Sequence, residues 1–162
     1  MTVEPLTVEI VDMLNEVPGI ETMWARHSNP KSGWSRMAAG FVAVGALYHR
    51  RWKVLGLTLL FLIINPVLFR EPSEELDDWM YKVVRAEERW TNDGHRLIAL
   101  GYPQILNTLS IPIGLYGLYA AYRRKPVSTV VFILASQGLN QWCMKAIIEH
   151  YEDIDSQEAK IP

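Results

Sequence analysis

The sequence predicts an all-α protein: an integral membrane four-helix bundle with amphipathic interfacial helices at the N-terminus and in the loop between spans 2 and 3. Three observations carry that expectation. Four stretches free of Asp, Glu, Lys and Arg follow one another along the 162 residues. Each is bounded by Arg, Lys or Trp, and two short cationic clusters join them in pairs. The averages conceal this pattern. Apolar residues at 49%, charged residues at 21% and a mean hydropathy of +0.03 resemble an ordinary soluble domain, because the charges are gathered at the ends and in a few clusters. The length suits one domain, 1–162. Six Trp, seven Tyr and four Phe exclude a disordered chain. The lone Cys143 excludes a disulfide scaffold, and a net charge of −2 offers no electrostatic case for nucleic acid.

The elements follow in order. Residues 1–30 read as an amphipathic segment, with Leu6, Ile10, Met13, Leu14 and Val17 at helical spacing, Thr2 or Thr7 as a cap, and Pro18-Gly19 as the stop. Glu4, Glu9, Asp12 and Glu16 make it too acidic for a secretory leader. The first span is expected at about 34–50. Its uncharged part, Met37 to Tyr48, reaches membrane length only with Trp34 and Arg36 in one interface and Tyr48 to Trp52 in the other. The second, 52–69, ends in Asn65-Pro66-Val67-Leu68-Phe69.

Residues 71–95 read as an external amphipathic loop. A helix is expected to start near Ser73 after Pro72 and to bury Leu76, Trp79, Met80, Val83, Val84 and Trp90. The third span, 97–122, has 26 uncharged residues, enough for ~39 Å of helix against a ~30 Å hydrocarbon layer. Pro103 and Pro112 should kink it. The fourth span, 126–148, closes at Lys145, and 149–162 is an acidic tail. Ala39, Gly40, Ala43, Gly45 and Ala46 slim the first span, and Gly114, Gly117 and Ala120 the third, for close helix contact. His49 to Lys53 and Arg123 to Lys125 form short hairpins on one side. Positive residues in short loops mark the cytoplasmic face, which places the protein in the cell membrane as a multi-pass chain with both termini outside.

Polar side chains within the spans need partners. Asn65 ends span 2, Gln104 and Asn107 stripe span 3 with Thr108, and Gln137, Asn140 and Gln141 stripe span 4 with Ser136. One reading makes these amides interhelical glue, each bond contributing ~0.6–2 kcal/mol; the other makes them the lining of a polar cavity. No acidic residue lies in the four uncharged runs, which argues against a proton relay or cation pump.

The densest motif runs from Trp24 to Arg36. There Asn29-Pro30 favours a turn, Ser32 or Ser35 is placed to cap the next helix, and Arg26, Lys31 and Arg36 are placed to grip a lipid phosphate. His27, His95, Glu87 and Glu88 are the candidates for catalytic acid–base groups. The four His are scattered without metal-ligand spacing, so no metal and no cofactor are expected. Cys143 reads as a packing residue.

The segment His27-Ser28-Asn29-Pro30-Lys31-Ser32-Gly33-Trp34-Ser35-Arg36, with Asn65-Pro66-Val67-Leu68-Phe69 and Glu87-Glu88-Arg89-Trp90, resembles a prokaryotic family of small membrane proteins of unknown function. The resemblance covers roughly Trp24 to Tyr122. It implies four spans and supplies no activity. Lys31 stands where that family more often has an aromatic residue.

The function expected from these features is non-catalytic: a helical bundle that binds membrane lipid, or assembles with copies of itself or another membrane protein. Two alternatives stay open. One is an interfacial enzyme acting on a lipid or small polar substrate through His27, His95 and Glu87 or Glu88. The other is a small-solute transporter or channel lined by Gln104, Asn107, Gln137, Asn140 and Gln141.

Overall fold

The computed structural model of the chain describes residues 26–70, 72, 76–158 and 160. The expected N-terminal helix around Leu6 to Val17 therefore lies outside the described residues, as do Trp24 and Ser73. Among the described residues there are five helices and no strand: α1 (Pro30–Tyr48), α2 (Trp52–Leu68), α3 (Trp79–Asn92), α4 (Gln104–Tyr122) and α5 (Pro126–Glu158). The chain is all-α.

Local chemistry sets each helix start. Asn29 caps α1, its Oδ1 accepting from Lys31 N–H at 2.9 Å, and Pro30 sits at the first position, where its missing N–H costs nothing. Ser32 and Ser35, of which one or the other was expected as the cap, both lie inside the helix instead. Asp78 caps α3, accepting from Met80 N–H at 2.8 Å, so that helix begins later than the Ser73 expectation. Helix α4 starts after Pro103 rather than at Leu97. Residues 97–100 instead run back along its first turns, held by Asn107 donating to the Leu97 carbonyl (3.0 Å) and by Thr108 exchanging bonds with the backbone of Ala99 (2.8 and 3.1 Å). Helix α5 has 33 residues and continues through most of the acidic tail. Met144, Ile147, Ile148 and Tyr151 are buried along one face of that extension.

The two hairpin turns are alike. Arg50 and Arg124 adopt φ of 56° and 55°, and the next residue's N–H reaches five residues back, Arg51 to Ala46 (2.8 Å) and Lys125 to Ala120 (2.9 Å). Each helix thus ends in a left-handed cap with Arg where Gly is usual. The Arg50 guanidinium lies over the Tyr122 ring, 5.3 Å from its centroid, so both turns share one end of the bundle. Helices α1 and α4 consequently run in one direction, and α2 and α5 return.

Packing has two characters. Helix α1 packs on α2, α4 on α5, and α1 joins the pairs through α4, while α3 lies against α5 and α1. Between α3 and the C-terminal half of α5 there is a conventional apolar core of Val83, Ala86, Trp90, Met144, Ile147, Ile148 and Tyr151. Along α2, α4 and the first half of α5 the arrangement inverts. Leu57 (68% exposed), Ile63 (75%), Leu115 (61%) and Val127 (75%) face outward, while Asn65, Ser110 and Thr129 are buried.

Helices α1 and α4 have 19 residues and α2 has 17, which gives ~26–29 Å at ~1.5 Å per residue. Among the described residues no helix is long and apolar enough to cross a membrane. None of the four expected spans meets that measure. The third fails because seven of its residues stay outside the helix and polar side chains occupy the first turns of what remains.

Close approach explains one glycine of α4. A Cβ at Gly117 would fall 2.9 Å from Ile133 Cδ1 and 3.1 Å from its backbone nitrogen, whereas a Cβ at Gly45 meets nothing within 4 Å. Gly117→Ala should therefore destabilise the fold by about 1–3 kcal/mol through overpacking against backbone. Gly45→Ala should stabilise it by about 0.5–1 kcal/mol through lost backbone freedom in the unfolded chain. Unfolding monitored by circular dichroism separates the two; equal shifts would contradict the α4–α5 contact.

Candidate functional site

The polar side chains of the bundle are largely spent on one another. Ser32 Oγ donates to Asn65 Oδ1 at 2.6 Å, and Asn65 Nδ2 donates to Ser35 Oγ at 2.9 Å, which ties α1 to α2. Asn140 Nδ2 donates to Asn107 Oδ1 (3.0 Å), and Ser136 Oγ to the Ser110 carbonyl (2.8 Å), two residues before Pro112. Trp79 Nε1 donates to Gln141 Oε1 at 2.8 Å. With its amide turned to satisfy both of its ends, Gln104 donates to the Gly101 carbonyl (3.1 Å) and accepts from Trp90 Nε1 (3.2 Å). The two amide stripes meet at Asn107 and Asn140, while Gln104 and Gln141 turn toward α3. The Ser32–Asn65–Ser35 link was missed in the sequence, where one serine or the other read as a helix cap.

Gln137 lines a cleft. About 200 Å³ opens between α1, α4 and α5, walled by Met37, Phe41, Val44, Leu118 and Ile133, with Gly40 and Gly114 making room and Ser136 and Gln137 at its polar margin. One turn toward the α1 N-terminus from Gly40 stands Arg36. Because α5 runs opposite to α1, one turn beyond Ser136 and Gln137 in the same direction stand Asn140 and Gln141. The apolar cleft thus leads toward polar residues.

There the structure gathers three candidates. Arg36 Nη1 contacts the ring nitrogens of His27, at 3.0 Å from Nδ1. Burial and the neighbouring Arg36 charge hold the His27 imidazole down at a pKa of about 4, so it is neutral at physiological pH. Glu87 reaches in from α3; burial pushes its carboxyl up, and the Arg36 charge pulls it back. Among the described residues no ion pair closes between Arg36 and Glu87. Arg36 Nε is buried without a hydrogen-bond partner there.

The other candidates sit elsewhere. Glu88 pairs with Arg85 at 2.8 Å. His95 is exposed and stacks on Trp90, ring centroids 4.3 Å apart, with His150 edge-on to the same indole. Arg26 and Lys31 are exposed, so of the three cations expected at a phosphate only Arg36 turns inward. Cys143 is fully buried. Among the described residues no group of three or more His, Cys, Asp or Glu is placed to hold a metal ion.

A family model described as a family of unknown function, DUF6653, matches residues 10–161. The chain belongs to the DUF6653 family. No curated protein and no solved structure matches it. Membership agrees with the coarse expectation of a family without assigned activity, and leaves the chemistry of this DUF6653 chain to its own residues.

Two outcomes follow for this family member. Asn65→Ala leaves the fully buried Ser32 hydroxyl without its acceptor and should cost about 1–3 kcal/mol, whereas Gln137→Ala at the cleft should cost under about 0.5 kcal/mol; comparing the two melts checks the link. A lowered His27 pKa means that the unfolded chain binds the extra proton first. The stability it contributes is complete above pH 6.5 and is lost as pH falls toward 4. An NMR titration of the His27 ring should show a midpoint near 4, and one near 6.5 would refute its burial against Arg36.

Proposed function

We propose that the protein is a non-catalytic, multi-pass membrane bundle that binds lipid, with its cationic turns on the cytoplasmic side and both termini outside. The observation that carries this reading is the inverted polarity of α2, α4 and the first half of α5: leucine, isoleucine and valine face outward there, and the buried positions include Asn65, Ser110 and Thr129. In water such a surface is an unprotected apolar sheath. In hydrocarbon it is the ordinary exterior, and the interior polar contacts satisfy groups that no solvent reaches.

The helices are short for the task, and the reading accommodates that. A hydrophobic length below the local thickness is met by thinning of the bilayer and by snorkelling of flanking residues. Trp34, Trp52, Tyr122 and the cations of both turns are exposed at the levels where such flanking groups belong. The α3–α5 core with its surface ion pairs, Arg89 to Asp155 (2.9 Å) and Lys82 to Asp77 (2.8 Å), suits the aqueous side. The pairing of Asn107 with Asn140, and of Gln141 with Trp79, favours structural amides over a transport path. The separate surroundings of His27 and His95 give an acid–base reaction no shared site.

Membrane fractionation tests the reading. The expressed protein should stay with the membrane after an alkaline carbonate wash and should need detergent to remain monodisperse. A monodisperse protein in plain buffer overturns it.

A further inference from the structure

The connection from α3 to α4 holds its apolar side chains outward. Leu97 and Ala99 are half-buried, Leu97 against the α3–α5 core, while Ile98, Leu100 and Tyr102 are exposed. Leu100, at 84%, is the most exposed large apolar side chain among the described residues. Asn107 and Thr108 hold the backbone of Leu97 and Ala99, and so fix which side chains face out. Resting on the membrane reading above, we propose that Ile98, Leu100 and Tyr102 form an interfacial anchor. It seats among the lipid head groups and first acyl carbons of the leaflet on the α3 side.

Side chains and backbone together select that depth. In water, a leucine clamped outward leaves its apolar surface uncovered. Deep in hydrocarbon, the N–H and C=O groups of Ile98 and Leu100 would be stranded, since they make no hydrogen bond among the described residues. The head-group region supplies apolar contact on one side and water on the other, and tyrosine is at home there. The level within the fold agrees. Asn107, which holds Leu97, also accepts from Asn140, the neighbour of the Gln141 that meets Trp79 of α3. There the apolar core beside α3 gives way to the outward apolar face of α4. Further along α4, on the face that carries Thr108, Ile111 and Leu115 are exposed. The anchor is therefore continuous with the surface read as facing hydrocarbon.

A fluorophore at Leu100→Cys tests this, in a chain with Cys143→Ala reconstituted into phosphatidylcholine nanodiscs. Labels at Leu115→Cys, two turns beyond Thr108 on its face, and at the exposed Gln157→Cys mark hydrocarbon and water. A lipid nitroxide near the glycerol should quench the Leu100 label more strongly than one near the methyl end of the chain. The Leu115 label should show the reverse order, and the Gln157 label should respond only to soluble iodide. Thr108→Val keeps the branched shape and loses both bonds to Ala99, so it should weaken the quenching at Leu100 and leave that at Leu115 unchanged. A Leu100 label quenched by iodide as Gln157 is lies in water. One shielded from iodide and both nitroxides lies under protein, a second copy included, and one quenched best near the methyl end lies too deep. Each of these overturns the anchor, and unchanged quenching in Thr108→Val overturns the clamp that sets it; quenching of Leu115 by the deep nitroxide leaves the membrane reading standing throughout. Loss of quenching by lipid at both Leu100 and Leu115 overturns both.

Discussion

The bundle depends on where its polar side chains find partners. Asn65 is wholly enclosed, yet all that surrounds it in sequence is leucine, isoleucine, proline and valine. It is tolerable there because it accepts a hydrogen bond from Ser32 and donates one to Ser35. The same logic joins Asn107 to Asn140 and Ser136 to the Ser110 carbonyl. An unpaired amide in such a place would cost more than its bond returns. These contacts therefore fix which helix faces which, and the apolar side chains are left to the outside. Nonspecific apolar packing alone would not choose a register between α1 and α2.

The second half of the molecule follows the opposite rule. From Cys143 onward, α5 buries apolar residues against α3 and turns acids outward, and its surface is tied by Arg89, Asp155 and the Tyr151 hydroxyl to Asp93 (2.6 Å). Such exposed pairs contribute little stability each. Their presence marks a surface in contact with water. The boundary between the two regimes lies near Arg36, Glu87, Asn140 and Gln141, and the buried Nε of the half-buried Arg36 lies there without a partner among the described residues.

The sequence carried some of this plainly. Charge clusters located both hairpin turns, and the i, i+4 spacing of Ser136 with Asn140 located the face that meets α4. Small residues marked the α4–α5 crossing at Gly117. Other features were legible but outweighed. Met144, Ile147 and Ile148 fall within the expected fourth span, but Tyr151, at the next helical position, read as part of the acidic tail. Hydropathy extended the third run back to Leu97, although Pro103 was the better boundary. What was not legible depended on tertiary approach. Arg26, Lys31 and Arg36 are alike as isolated cations, and only the arrival of α3 with Glu87, and of His27 across a turn, turns one of them inward. Ser32 and Ser35 likewise follow a proline, where a cap is the local reading, and only α2 makes them partners of Asn65.

On the membrane reading, hydrocarbon rather than water touches the outward faces of α2, α4 and early α5. Site-directed spin labels at Leu57, Ile63, Leu115 and Val130, in a chain with Cys143 replaced by Ala and reconstituted into lipid nanodiscs, test it most directly. Faces in hydrocarbon should show strong relaxation by dissolved oxygen and almost none by a water-soluble nickel chelate at all four positions. Strong relaxation by the chelate at those positions would place them in water and contradict it.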